Sequence, residues 1–439
     1  MLNKFATLAA LKPAKNRASG VDPAAAAAMA PVQSAASSLP DGAEQLAAAL
    51  EARILQNHHG EHVSVKKWFS EAIGHDAPDG QIDGMALHLL SPGAPKEACD
   101  PSKWLFLDTE TTGLTGGTGT YPFMVGIAWW DAGGLEVEQF FMRDHSEEHA
   151  LLVTLAERLG ERGVLVTFNG KSFDWPLLET RYRMTRKVKV PTLTAHLDFL
   201  HPARNLWRIR LGSVRLAELE KHVLGFHRGA DLISAMIPQF YFDYLRGGPV
   251  EPVIEIFKHN QMDLRGLAGL ASRVISLLVE PETHSGDPLE LFGVSRICER
   301  RGETTRARKH YAQSIEGSLP AEADRFAKRA LARMAKRDGD FKLARELWES
   351  MVGNSREGFE AFEQLAIYHE HVAGELQQAA TLVKRALGEL RRTKSAGLLS
   401  PALYRQYRER FEHRLARLEV KASKSQLALS GGETRQSSG

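Results

Sequence analysis

Residues 105–114 read Leu-Phe-Leu-Asp-Thr-Glu-Thr-Thr-Gly-Leu, and Asp108 and Glu110 stand one residue apart at the end of an apolar run, Trp104 to Leu107. Side chains alternate faces along a strand, so positions i and i+2 point the same way. Two carboxylates on one face repel each other unless a cation lies between them, and a cluster of hard oxygen ligands favours Mg²⁺ or Mn²⁺. A lone Asp-x-Glu is ordinarily a solvated strand end, but this pair has company. Asp174 follows a second apolar, β-branched run, Val164 to Phe168, and the turn Asn169-Gly170. Far downstream, His259 and Asp263 stand four apart within Ile254 to Leu270, a stretch of helical spacing, and so share a helix face. Four carboxylates and a histidine, spread over two strand ends and two helices, are the parts needed for two-metal phosphoryl chemistry.

The set Asp108-x-Glu110, Asn169-x(3)-Phe173-Asp174 and His259-x(3)-Asp263 resembles the three motifs of the DEDD exonucleases, which have the ribonuclease H-like fold. The bacterial YprB-like branch, with "FNGKSFD" and "HN-x-x-D" motifs, is the most similar. The resemblance covers roughly residues 100 to 275 and extends to His196-Leu-Asp198 and Arg204-Asn-Leu-Trp207. It implies an α/β mixed sheet with flanking helices and a two-metal nuclease working from the 3′ end of DNA or RNA. Asp108, Glu110, Asp174 and Asp263 would be metal ligands for two Mg²⁺ or Mn²⁺ ions, and His259 the general base. The histidine-type enzymes place His five residues before the last Asp, a position held here by Lys258; His259 stands where the tyrosine-type enzymes have Tyr. Asn169 has two readings, turn former and substrate contact, and Lys171 likewise could meet a phosphate or only water. Trp175 reads as core before base platform, and Asp198 as a hydrogen-bonding support before a fifth ligand. Asn260 reads as a residue that orients a neighbour or caps a loop.

Those residues need elements to hold them. The pattern predicts strands at Trp104–Asp108, Phe123–Trp130 and Leu135–Met142, the last two joined by the turn Asp131–Gly134. A helix over Glu147–Leu159, a strand over Val164–Phe168, a helix over Trp175–Met184 and a short strand at Ala195–Leu200 follow. Meandering strands and then alternating helix and strand give a mixed sheet covered by helices. Ahead of it, residues 46–99 form an extension with strand-like runs at His62–Val65 and Met85–Leu90, predicted to join the sheet edge. The Ala-, Pro- and Ser-rich residues 1–45 read as disordered, with a transient helix over Glu44–Leu55. Beyond the nuclease-like residues 100–282, strand signals vanish. Residues 285–422 read as three helix pairs at a spacing of about 36 residues plus a capping helix, Leu403–Leu418, an all-α tetratricopeptide-like array. A Ser- and Gly-rich tail, residues 423–439, reads as disordered.

Composition excludes several alternatives. With 43% hydrophobic and 25% charged residues, the 439-residue chain is ordinary for a globular protein. Two unpaired cysteines, Cys99 and Cys298, exclude a Cys-based zinc site and suit a reducing, cytoplasmic compartment. No apolar run is long enough to span a membrane, and Lys12 and Lys15 interrupt the N-terminus too soon for a signal peptide. Net charge is +2, yet residues 296–425 carry nine more Lys and Arg than Asp and Glu, so the rest is mildly acidic. A basic C-terminal half could attract a polyanion. The expected partner is nucleic acid with a single-stranded end, with a protein partner on the helical repeats as a further possibility. The rival to a nuclease is a non-catalytic nucleic-acid binder or scaffold built on the repeats. Three glycine or histidine features are decoys. Gly170-Lys-Ser172 lacks the earlier P-loop glycine, Gly116–Gly119 lacks the third glycine of a dinucleotide fingerprint, and His58 with His62 falls in loop and strand.

Overall fold

A computed structural model describes residues 41–433, apart from 75–77, 79, 114–118, 186–187, 230–231 and 353–357, and side chains from residue 45 to 424. The expected disorder of residues 1–40 and 434–439, and the glycine loop at Gly116, lie outside the described residues. The chain opens with α1 (Asp41–Leu50), then the hairpin β1 (Arg53–Asn57) and β2 (Gly60–Phe69), and α2 (Gly84–Leu90). The nuclease-like part follows as β3 (Trp104–Thr111), β4 (Pro122–Asp131), β5 (Gly134–Phe141), α3 (Glu148–Arg162), β6 (Val164–Thr167), α4 (Asp174–Thr185) and β7 (Ala195–Asp198). Helices α5 (Leu200–Leu211), α6 (Leu216–His222), α7 (Ile237–Leu245) and α8 (Glu251–Val279) complete it, and the short α9 (Pro281–His284) leads out. The C-terminal region is all helix: α10 (Pro288–Arg300), α11 (Thr304–Glu316), α12 (Ala321–Arg337), α13 (Phe341–Met351), α14 (Gly358–His371), α15 (Leu376–Ser395) and α16 (Pro401–Glu433).

Among the described residues the strands form one sheet in the order β1-β2-β5-β4-β3-β6-β7. Strands β1 through β3 pair antiparallel along that order, and β3-β6-β7 run parallel. This is the mixed sheet the pattern predicts. Alternation along β3 sends Trp104 and Phe106 into one core and Leu105 and Leu107 into the other. Helix α8 serves both cores. Its Val253, Ile256 and Phe257 pack in the second, and Leu264 to Leu278 in the first. His259, Asn260 and Asp263 fall at that changeover, which carries them past β3.

Three local expectations need correction. Met85–Leu90 is helical, not strand: the Asp83 carboxylate accepts from the N–H of Met85 (2.6 Å) and Ala86 (3.3 Å), a side-chain cap that starts α2. The helix expected over Glu44–Leu55 stops at Leu50, because Arg53–Asn57 pairs with β2 and tertiary pairing overrides local propensity. At the other end, α16 continues to Glu433, eleven residues into the expected tail.

The helical region is not a loosely tethered appendage. Helix α10 lies on α5, where the buried indole of Trp207 donates to Glu290 Oε1 at 2.7 Å and Arg273 donates to Glu290 Oε2 at 3.0 Å. Phe292 and Ile297 share one continuous apolar core with Trp207 and Leu206. Packing therefore runs without a break across the boundary expected near residues 282–285.

Candidate metal centre

Asp108 and Glu110 lie on the same side of β3 at its C-terminal end, opposite Gly126 and Met124 of β4. Asp174 is the first residue of α4, beyond the turn that leaves β6, and Asp263 comes from α8. The four carboxylates converge. Burial pushes the Asp108 carboxyl well above the ordinary range, and the charges of Asp263, Glu110 and Asp174 add to the rise. The opposing influence is a hydrogen bond from Asn260 Nδ2 to Asp108 Oδ2, 2.9 Å. Asp174 is raised as well, again by burial first; Thr109 Oγ1 donates to its Oδ1 at 2.5 Å and partly offsets this. Such crowding disfavours ionisation unless a cation balances it. One oxygen each of Glu110 and Asp263 and a ring nitrogen of His259 lie within 4.8 Å of one another, a spacing able to hold a metal ion. The donor set of carboxylates with a single imidazole fits a hard divalent ion.

His259 is buried, with Nε2 3.4 Å from Asp263 Oδ2 and 3.9 Å from Glu110 Oε1. Its place inside the cluster makes it a candidate third ligand as well as a base. Lys258 instead faces solvent and pairs with Glu255 at 2.7 Å.

The other sequence candidates sort by geometry. Asn169 holds a left-handed backbone at φ 72°. Asp198 ties down the turn: its Oδ1 accepts from the Asn169 N–H (2.9 Å) and its Oδ2 from the Lys171 N–H (3.0 Å). Asp198 is thus a support, and its charge reaches Asp174 only as a further upward push. The Lys171 side chain is exposed, and Trp175 packs against the second core with its ring 6.4 Å from that of His196. His58 and His62 do not chelate: His62 is sealed in β2 against Phe140, and burial pulls its pKa down to about 4.

Several residues the sequence reading passed over hold the cluster in place. Gln139 of β5 donates to Asn260 Oδ1 at 2.8 Å and accepts from Gln261 at 2.7 Å, so a chain of neutral amides fixes the donor that reaches Asp108. Gly126 makes room for it: a Cβ there would lie 2.0 Å from Asn260 Oδ1. On the other side Arg228 bonds both Glu220 and Asp263. Asn260, read from the sequence as orienting a neighbour or capping a loop, here orients Asp108. A lone arginine in the loop after α6 offers no comparable signal.

The sheet order, the convergent carboxylates and the covering helices define a ribonuclease H-like domain with a candidate metal centre. Residues 105–275 match a family model described as the RNase_H superfamily. YprB of Bacillus subtilis (strain 168) is 30% identical over 326 residues, which is 72% of this chain and 75% of that relative. The chain belongs to the YprB family, within the ribonuclease H superfamily. A family B DNA polymerase from the hyperthermophilic archaeon Pyrobaculum calidifontis aligns over 48% of this chain and 29% of its own, at 17% identity and a TM-score of 0.33, too slight a likeness to bear on function. No described helix is long and apolar enough to cross a membrane.

Proposed function

We propose that this protein is a metal-dependent nuclease of DEDD type that hydrolyses phosphodiester bonds of DNA or RNA from the 3′ end. The observation that carries the reading is the half-buried Asp108, pressed by three other carboxylates at a strand end. Asp108, Glu110 and Asp263 would hold one Mg²⁺ or Mn²⁺ ion, and Asp108 with Asp174 a second. Bound there, the ions supply positive charge against the phosphate and acidify water. His259 Nε2 takes the proton of the attacking water, a role that imidazoles commonly fill. Thr109 holds Asp174, and Asn260 holds Asp108, so neither carboxylate must reorganise as the bond to the leaving oxygen breaks. Asn169 and Lys171, on the turn before Asp174, would contact the end of the nucleic-acid strand.

We read the C-terminal helices as tetratricopeptide-like repeats. Ala307 with Tyr311, Ala344 with Trp348 and Ala379 with Val383 are small-then-large buried pairs on successive second helices. A second reading, a non-catalytic binder, is favoured by a cleft lined by Arg329, Arg333 and Lys336 over Trp348. Purified protein incubated with labelled DNA and RNA oligonucleotides, with Mg²⁺, Mn²⁺ or EDTA, separates the two. Metal-dependent shortening from the 3′ end supports the nuclease; a metal-independent mobility shift without cleavage supports the binder.

A further inference from the structure

Beside the carboxylate cluster lies a charged group that the proposed reaction does not use. Glu220, in the last turn of α6, has its side chain wholly buried in space opened by Gly266 of α8, where a Cβ would lie 1.9 Å from Glu220 Oε1. Arg228 grips it bidentately through one edge of the guanidinium, Nε to Oε2 at 2.5 Å and Nη2 to Oε1 at 2.6 Å. The same Nη2 donates to Asp263 Oδ1. Arg228 is only 7% exposed, too enclosed to meet a substrate. The other oxygen of Asp263, Oδ2, faces His259 Nε2 at 3.4 Å.

This arrangement has a directional consequence. A carboxylate with both oxygens free can rotate and bind an ion through either or both. Asp263 has one oxygen committed to a planar, fixed fork, so its remaining oxygen faces the cluster. Glu220 and Arg228 cancel in charge, so the brace leaves the negative charge of the cluster intact for a cation. Stability alone would be served as well by an apolar pair in their place.

We propose that Arg228, braced by Glu220, is a positioning residue that pins Asp263 Oδ1 and presents Oδ2 alone to a divalent cation. The proposal rests on the reading of Asp263 as a metal ligand. It is tested on the full chain by calorimetric titration with Mn²⁺, alongside metal-free melting curves. Arg228→Lys keeps the charge and loses the fork. Glu220→Gln with Arg228→Gln removes both charges together, and so strands neither should the single variant fold poorly. Each should weaken Mn²⁺ binding about ten- to hundredfold, the usual cost of losing a partner that orients a ligand. In an Asp263→Asn background, Arg228→Lys should cost no further affinity, because its partner is already gone. Wild-type Mn²⁺ affinity in both Arg228 variants overturns the proposal and leaves the metal reading standing, as does an equal loss with and without Asp263. Absence of Mn²⁺ uptake by the wild type overturns both.

Discussion

Two enclosed carboxylates, the half-buried Asp108 in the sheet domain and the buried Glu370 in the helical region, are treated in opposite ways by their surroundings. Glu370 has a wholly buried side chain, and three cations of α16 reach it: Arg414 at 2.9 Å, Arg417 at 2.7 Å and Lys421 at 2.6 Å. Burial alone would raise its pKa, but the hydrogen bonds from Lys421 and Arg417 and the charges of Arg417 and His371 outweigh that and hold it down at about 2. Asp108 is pushed the other way, by burial and three like charges. The first carboxylate is satisfied by its own chain and ties the last helix to the third pair. The second is satisfied only in part, by the Asn260 amide, and its cluster is suited to a cation from outside. A buried charge with its counter-charge supplied is a structural device; a cluster of like charges at a strand end is what a candidate functional site looks like.

The largest expected effects test this contrast directly. Asp108→Asn should abolish metal-dependent cleavage while preserving shape and hydrogen bonding. It should also raise the metal-free melting temperature, since it removes one of the mutually repelling charges. Wild-type protein should gain thermal stability with Mn²⁺, as ligands of the native state do, and the variant should gain little. Cleavage undiminished in Asp108→Asn, or a lower metal-free melting point, would break the distinction drawn here.

His259→Ala should lower turnover by about 10² to 10⁴, the usual contribution of a general base. A base that is not a ligand leaves Mn²⁺ affinity near wild type; a fall in affinity that parallels the fall in rate would assign the imidazole to the metal instead. A rate within a few-fold of wild type would show His259 to be packing only.

Glu370→Gln should act with the opposite sign to Asp108→Asn. It leaves Arg414, Arg417 and Lys421 without their common anion, at a cost of about 2 kcal/mol, the scale of a hydrogen bond to a charged group. The pH sense follows from its depressed pKa. An unfolded glutamate titrates near 4.5 and Glu370 near 2, so its contribution is complete above about pH 4.5 and is lost as pH falls toward 2. Chemical denaturation at pH 7 and pH 3 should therefore separate wild type and variant most at neutral pH. Equal stability at pH 7 would mean that the three cations do not depend on Glu370.

Much of the sheet was legible because its strands are buried on alternating faces and announce themselves as apolar runs: Trp104–Leu107 and Val164–Val166 could hardly be anything else. The carboxylates were legible because they sit where those runs end. What eluded sequence reading was decided either by one capping side chain or by a partner elsewhere in the chain. Met85–Leu90 has the composition of a strand, and one capping carboxylate, Asp83, makes it a helix. Arg228 acts through Glu220 and Asp263, eight and 35 residues away, and no local spacing reports that. The seat of the helical region on Trp207 was equally hidden, although Arg204–Trp207 had been singled out by resemblance. Its indole meets Glu290, 83 residues downstream.

The smallest expected effect concerns the basic face of the helical region, and the seat on Trp207 dictates how to test it. Removing residues 285–439 would strip Phe292 and Ile297 from a core shared with the sheet domain, so truncation would confound binding with folding. Substitution on α12 avoids this. Arg329, Arg333 and Lys336 lie on one face of that helix and line the cleft over Trp348. Each also has a partner, Glu360, Glu299 and Gln364 respectively, which dilutes its attraction for phosphate. If this face grips a single strand, Arg329→Gln, Arg333→Gln and Lys336→Gln together remove at most three phosphate contacts. The log–log slope of affinity against salt should then shrink by up to about 2. Turnover on a saturating short oligonucleotide should be unchanged, because none of the three lies among the carboxylates. An unchanged slope would rule out a nucleic-acid grip for this face and turn the reading toward an acidic protein partner, for which a cleft lined by three cations and Trp348 is equally suited.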